Sequence, residues 1–171
     1  EANWSSGISW SHTQWTEGWP YGLAMGDLDG DDEVELAMSG DRGFLWVVDT
    51  ETPEIYVGRD LTYDEAEWYV DVGAKTGSGT LENTWGLTFG QFDEDEAMEV
   101  AVGSKQGWIA VFDGETEEMQ WKYDMDGSSG ADSLCYSLSS ADLDGNGIDE
   151  LIVPQQNKLT VFVDGDRDVR I

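Results

Sequence analysis

An all-β chain, built from four-stranded antiparallel units that are blades of a β-propeller, is the fold this sequence predicts. Three observations carry it. One acidic loop occurs three times, and each copy is flanked by apolar runs of strand length. No segment shows the apolar period of about 3.6 residues that marks a helix.

The first acidic loop runs Gly26-Asp27-Leu28-Asp29-Gly30-Asp31-Asp32-Glu33-Val34-Glu35, and an apolar strand pattern begins at Leu36. Its counterparts are Gln91 to Val100 and Asp142 to Leu151. At offsets zero, two, four and eight the copies read Asp27, Asp29, Asp31, Glu35; then Gln91, Asp93, Asp95, Glu99; then Asp142, Asp144, Asn146, Glu150. Calcium takes about six to eight hard oxygen ligands, and alternate acidic side chains on a tight loop can face one centre. The carbonyls of Glu33, Ala97 and Ile148 stand where a main-chain ligand is expected. Gly30 provides the backbone freedom of the curl. A single loop of this kind equally fits a solvated turn; three in register predict up to three calcium ions. The opening is that of an EF-hand, but the closing Glu comes early and a strand follows, so EF-hand is rejected.

Working outward from each loop gives the strands. Tyr21 to Gly26 aligns with Trp85 to Gly90 and with Tyr136 to Ala141. After the loops come Leu36 to Met38, Val100 to Val102 and Leu151 to Val153. Next come Phe44 to Val48, Trp108 to Phe112 and Leu159 to Val163. Fourth strands carrying a Trp follow at Glu67 to Asp71 and Met119 to Tyr123. The first unit holds an insertion within Glu54 to Glu67, and Ala74 to Thr80 reads as a flexible loop.

The predicted organisation is residues 1–18 as an outer strand and linker completing another blade, 19–73 as the first unit, 74–125 as the second, and 126–171 as the third. The offset rests on Trp4, which precedes Gly22 as Trp68 precedes Gly86. The third unit is expected to lack its outer strand. Three blades are fewer than the four to eight of known rings. The expected partners are therefore neighbouring copies of the chain or further blades of a longer one.

Composition narrows the function classes. With 37 acidic against 8 basic residues in 171, the net charge is −29. That field repels nucleic acid and anionic membranes. Nine Trp and only three Pro indicate a packed aromatic β structure rather than an acidic tail. No run approaches the length of a membrane span. The single Cys135 sits in an apolar pattern and reads as a buried small hydrophobe. His12 is the only histidine and has no triad or zinc spacing around it. The many carboxylates repeat as loops rather than as a glycosidase pair. Asn3-Trp4-Ser5 is a glycosylation sequon. Trp10, Trp15 and Trp19 suggest a sugar-stacking platform less well than they suggest seam packing.

These loops resemble the FG-GAP repeats of integrin α-subunit propellers and the related VCBS-type repeats of bacterial and archaeal surface proteins. The family pattern is an aromatic-Gly pair followed by D-x-D-G-D-G-x-x-[DE]-[LV]; Phe89-Gly90 and Asp142 to Leu151 match it closely. The resemblance covers about Tyr21 to Asp166. It implies a calcium ion between the first two strands of each blade, held in the first by Asp27, Asp29, Asp31 and Glu35. Gln91 and Glu94 depart from the pattern, so the second site is ranked weakest. Gly107 to Thr116, ending in Trp121, is similar to the repeat of quinoprotein propellers, where the Trp packs between blades. Trp68 and Trp121 are read accordingly as docking residues. Together these features lead to the expectation of a non-enzymatic, extracellular or cell-surface calcium-binding module in adhesion or self-assembly, with a protein or glycan ligand. The alternatives are a carbohydrate-binding module or the propeller part of a polysaccharide-degrading enzyme.

Overall fold

The computed structural model of the chain describes residues 20–40, 43–49, 68–76, 83–125, 135–155, 158–163 and 169–170. The first sheet is β1 (Pro20–Gly26), β2 (Glu35–Gly40), β3 (Phe44–Asp49) and β4 (Trp68–Asp71), followed by one helical turn, α1 (Val72–Thr76). The second is β5 (Thr84–Gly90), β6 (Glu99–Ser104), β7 (Trp108–Asp113) and β8 (Met119–Asp124). The third is β9 (Ser139–Ala141), β10 (Glu150–Pro154), β11 (Leu159–Phe162) and β12 (Val169–Arg170). In each sheet the strands pair antiparallel in chain order. Eleven of the twelve strands overlap the runs read from the sequence, and two corrections are needed.

The third sheet does have a fourth strand. Val169 pairs with Phe162 and Arg170 with Val161. The sequence reading expected that strand only to begin at Val169 to Ile171 and so counted it as lacking; two residues suffice to pair with β11. The helical turn over Val72–Thr76 was likewise unexpected, because five residues cannot display a helical period. Residues 1–18, with Asn3, Trp4, His12 and the N-terminal aromatics, lie outside the described residues, as does the 54–67 insertion.

Burial follows the period of two. The middle sheet sends Val100, Val102, Ala110 and Phe112 into a core shared with the first sheet. The alternate residues Ala101, Ile109 and Val111 enter a second core shared with the third sheet. A sheet covered on both faces reads as a continuous apolar run, which is why β6 and β7 were so legible. Trp68 is buried in the first core with its ring 6.1 Å from that of Phe112 on the second sheet. Trp121 does the same one sheet later, 5.3 Å from Phe162. Both tryptophans therefore bridge neighbouring sheets, as read from the sequence.

The inner strands touch closely. A β-carbon added at Gly22 would lie 2.7 Å from Leu87 Cβ, and one at Gly86 only 2.8 Å from Leu138 Cγ. Thr84 clasps the first sheet to the second: its hydroxyl donates to Gly40 O and accepts from Gly40 N at 2.9 and 3.1 Å. The result positions all three acidic loops at matching β1–β2, β5–β6 and β9–β10 connections.

Candidate metal centres

Each acidic loop is wound on its own side chains in the same way. The offset-two carboxylate accepts from the amide of offset four: Asp31 N to Asp29, Asp95 N to Asp93, and Asn146 N to Asp144, at 3.2, 2.9 and 3.2 Å. The offset-four side chain accepts from offset six: Glu33 N, Ala97 N and Ile148 N donate to Asp31, Asp95 and Asn146 at 2.9, 3.0 and 2.7 Å. The closing Glu reaches back across the loop. Glu35, Glu99 and Glu150 accept from Leu28 N, Phe92 N and Leu143 N at 2.5, 2.5 and 2.7 Å. Short acidic side chains are suited to such local capping of backbone amides.

The leading residue separates the copies. Asp27 accepts from the amides of Gly30, Asp31 and Asp32, and Asp142 from those of Gly145, Asn146 and Gly147. Those contacts hold the Asp142 carboxyl below its usual range. The curl needs positive φ at two residues, Gly30 and Asp32 in the first loop and Gly145 and Gly147 in the third. The second loop has Glu94 and Glu96 there and adopts neither conformation. Gln91 instead donates through its amide to the Asp95 carbonyl.

Two loops bring three carboxylates within 4.8 Å of one another: Asp27, Asp29 and Glu35, and Asp93, Asp95 and Glu99. Asp31 falls outside the first group, and Asp142, Asp144 and Glu150 do not gather in this way, although their loop forms. Converging negative charge and burial raise the pKa values of Asp29, Glu35 and Asp95, desolvation being the largest cause for each. Glu99 is the extreme. It is wholly enclosed, and desolvation first, then Asp93 and Asp95, push its carboxyl up to about 8 against the favourable Phe92 amide contact.

The donor set is all oxygen, which suits a hard cation. A more pointed sign is that Glu99 Oε1 and Gln91 Oε1 in the second loop, and Glu150 Oε1 in the third, are buried without a hydrogen-bond partner among the described residues. Such an oxygen costs about 1–3 kcal/mol when nothing satisfies it. These residues fit a divalent cation.

Sequence reading missed one neighbour of the second group. Gln120 on β8 donates to Asp93 Oδ2 at 2.7 Å and to Asp113 Oδ2 at 3.4 Å. Asp113 faces Glu99 in the β6–β7 register. Burial raises its pKa, but contacts from Thr116 and Gln120 outweigh that and lower it. The Glu99↔Asp113 cross-strand pairing was the signal available in the sequence, repeated as Glu35↔Asp49.

Backbone hydrogen bonds join one loop to the next. Met98 N donates to Leu28 O at 2.9 Å, and Gly114 N to Met98 O at 3.1 Å. Asp149 N donates to Gln91 O at 2.6 Å, and Asp149 Oδ2 accepts from Gln91 N at 3.2 Å. Cys135 is buried, which pushes its thiol up to about 12 and leaves it an inert hydrophobe at neutral pH.

No protein-family model matches the sequence, and no curated protein is similar to it. Among solved structures, the exotype rhamnogalacturonan lyase YesX is 16% identical over 90% of this chain and 33% of its own, with a TM-score of 0.54. BBS1N, solved in complex with ARL6DN, is 14% identical over 82% of this chain and 35% of its own, with a TM-score of 0.50. The Cps50 (Swd1) β-propeller domain of Myceliophteria thermophila is 14% identical over 93% and 43%, at a TM-score of 0.49. The likeness is one of fold, an all-β chain of several antiparallel sheets resembling β-propeller domains. The chain spans about a third of the length of the first two structures.

Proposed function

We propose that this chain is a calcium-binding segment of a β-propeller of FG-GAP type, contributing three blades to an extracellular or cell-surface structure. Its role is structural, in adhesion or assembly, and non-enzymatic. The observation that carries this reading is Glu99: a fully enclosed carboxylate with one orphaned oxygen, facing Asp93 and Asp95 across less than 4.8 Å. A buried carboxylate of this kind is stable only when neutralised. A divalent cation neutralises it while also relieving the repulsion among the loop's carboxylates.

In the first loop the ion would be held by Asp27, Asp29 and Glu35, and in the second by Asp93, Asp95 and Glu99, with Gln91 Oε1 to hand. The third loop supplies Asp142, Asp144, Asn146 and Glu150 once its carboxylates draw together. The ion supplies charge balance and ties the connection between the two innermost strands of each blade. Because the unfolded chain has no preformed site, binding energy becomes folding energy. Millimolar calcium outside cells suits sites of this charge and exposure.

Calcium titration by calorimetry, paired with thermal melts in excess chelator, tests the reading. At least two equivalents of heat and a melting temperature lowered by chelation are expected. An unchanged melt and no binding heat would sink it.

A further inference from the structure

We infer that the second metal centre is completed from the third sheet, with Asp149 as its positioning residue. The role rests on the reading of the second loop as a divalent-cation site.

Two departures from the repeat meet at this point. At offset zero the first and third loops carry Asp27 and Asp142, and the second carries Gln91. At offset seven the first and second loops carry Val34 and Met98, and the third carries Asp149. Asp27 and Asp142 each hold three amides of their own loop. Gln91 is instead held from the next sheet. Its N–H donates to Asp149 Oδ2 at 3.2 Å, and its carbonyl accepts from Asp149 N at 2.6 Å. A carboxylate on the third loop thus stands in for the internal winding that the second has lost.

The clamp reaches Glu99 through one peptide group. The carbonyl of that group belongs to Gln91 and accepts from Asp149 N; its N–H belongs to Phe92 and donates to Glu99 Oε2 at 2.5 Å. Hydrogen bonds in such a row polarise one another, and the plane of the shared peptide fixes the direction of both. With Oε2 committed to Phe92, Glu99 Oε1 is left fully enclosed and without a partner, in the group that Asp93 and Asp95 complete. That orphaned oxygen points to a ligand independently of the loop's charge. The same clamp fixes the backbone from which the Gln91 side chain crosses its loop, donating to Asp95 O and leaving Oε1 buried and unpartnered. Asp149 lies outside the three-carboxylate group, so it acts through the Gln91–Phe92 peptide and not as a ligand.

The first seam is built differently. Met98 N donates there to Leu28 O, whereas the N–H that Glu35 holds, that of Leu28, belongs to a different peptide group. Met98 is apolar and has no carboxylate to give the Asp27 amide. Glu35 is therefore oriented from within its own loop, and Glu99 in part from the neighbouring sheet. Outer contacts that orient a ligating group are worth about 10–100-fold in metal affinity. An ion in the second loop accordingly ties the second sheet to the third as well as β5 to β6.

Calcium titration followed by amide nuclear magnetic resonance tests the assignment, because Gly30 reports the first loop and Ala97 the second. In the wild-type chain Ala97 should shift as calcium is added. Asp149→Ala should weaken the affinity read at Ala97 about tenfold and leave that read at Gly30 unchanged. Asp149→Asn removes the same charge but keeps an oxygen for the Gln91 amide, and should recover most of the loss. Without calcium, the Phe92 amide should exchange faster in Asp149→Ala than in Asp149→Asn. An unchanged Ala97 affinity in Asp149→Ala would overturn the positioning role and leave the cation reading standing. Equal weakening in both variants would reduce Asp149 to a nearby charge, and equal weakening at Gly30 and Ala97 would mark a loosened fold; either overturns the role. A wild-type Ala97 that ignores calcium would overturn the cation reading and the role together.

Discussion

The first and second acidic loops reach similar carboxylate clusters by different routes. In the first, the leading Asp27 gathers three amides, two residues take positive φ, and Asp27, Asp29 and Glu35 converge. In the second, Gln91 cannot gather amides, no residue turns to positive φ, and Asp93, Asp95 and Glu99 converge instead. What is common is the closing Glu, buried and bound to the amide of offset one in every copy. Both clusters therefore share that anchor and the offset-two Asp, and they differ in the third member. The third loop shows that the shared pair is not sufficient: it has the winding of the first, the anchor Glu150 and the offset-two Asp144, yet its carboxylates do not gather.

The comparison can be broken most forcefully at the anchors. Glu99→Ala leaves the Phe92 amide unpaired in an enclosed cavity and should cost about 3 kcal/mol in denaturant unfolding. Glu35→Ala, at the first loop, should cost about 1–2 kcal/mol by the same measurement, since Glu35 is less deeply enclosed than Glu99 and has no buried orphaned oxygen. Equal losses would mean that the two anchors are equivalent after all.

The next effect is one of pH. Glu99 holds its proton to about pH 8 in the calcium-free fold but only to its ordinary 4.5 when unfolded. Between those values the folded state binds more protons, so stability falls as pH rises through the window. Glu35, Asp29 and Asp95 are shifted the same way; Asp113 and Asp142 oppose them. Calcium-free melts should therefore drop from pH 5 to pH 8.5, flatten in calcium, and flatten in Glu99→Gln without calcium. A melting temperature that climbs over this range would refute the assignment of the burden to Glu99.

Calcium affinity offers a finer contrast. Asp95→Ala removes a member of its cluster and should weaken the second site about tenfold or more, whereas Asp31→Ala should change the first by about threefold, since each factor of ten is about 1.4 kcal/mol. The smallest effect lies in the turns. Gly30→Ala places a side chain at φ 81 and should cost about 1 kcal/mol, while Glu94→Gly should cost about half that through the unfolded chain alone. Chemical denaturation of the two variants without calcium reads both.

Most of the fold was legible because each sheet repeats a strand pattern around a loop that cannot be mistaken for chance. Val100-Ala101-Val102 and Ile109-Ala110-Val111 announce a sheet buried on both faces before any coordinate is known. The place of Val169–Arg170 was legible but its pairing was not, because two residues carry no period by which to recognise a formed strand. The helical turn of Val72–Thr76 escaped for the same reason of length. At the loops, the sequence supplied the ligand types and their register, but not which three converge. That choice depends on φ at Gly30, Asp32, Glu94 and Glu96, and on the depth at which Glu99 is enclosed. Gln120 was invisible because it arrives from a strand two connections away.

The amides of Met98 and Asp149 have a consequence for how the molecule can be watched. Each is protected by a carbonyl on the preceding sheet's loop, so hydrogen exchange at these two positions is a clock of docking rather than of local folding. Gly114 N, whose acceptor Met98 O belongs to the same sheet, reports the folding of the second sheet's own connections. Met98 keeps time for the first seam and Asp149 for the second, which makes the order of assembly readable from two peaks set against a third.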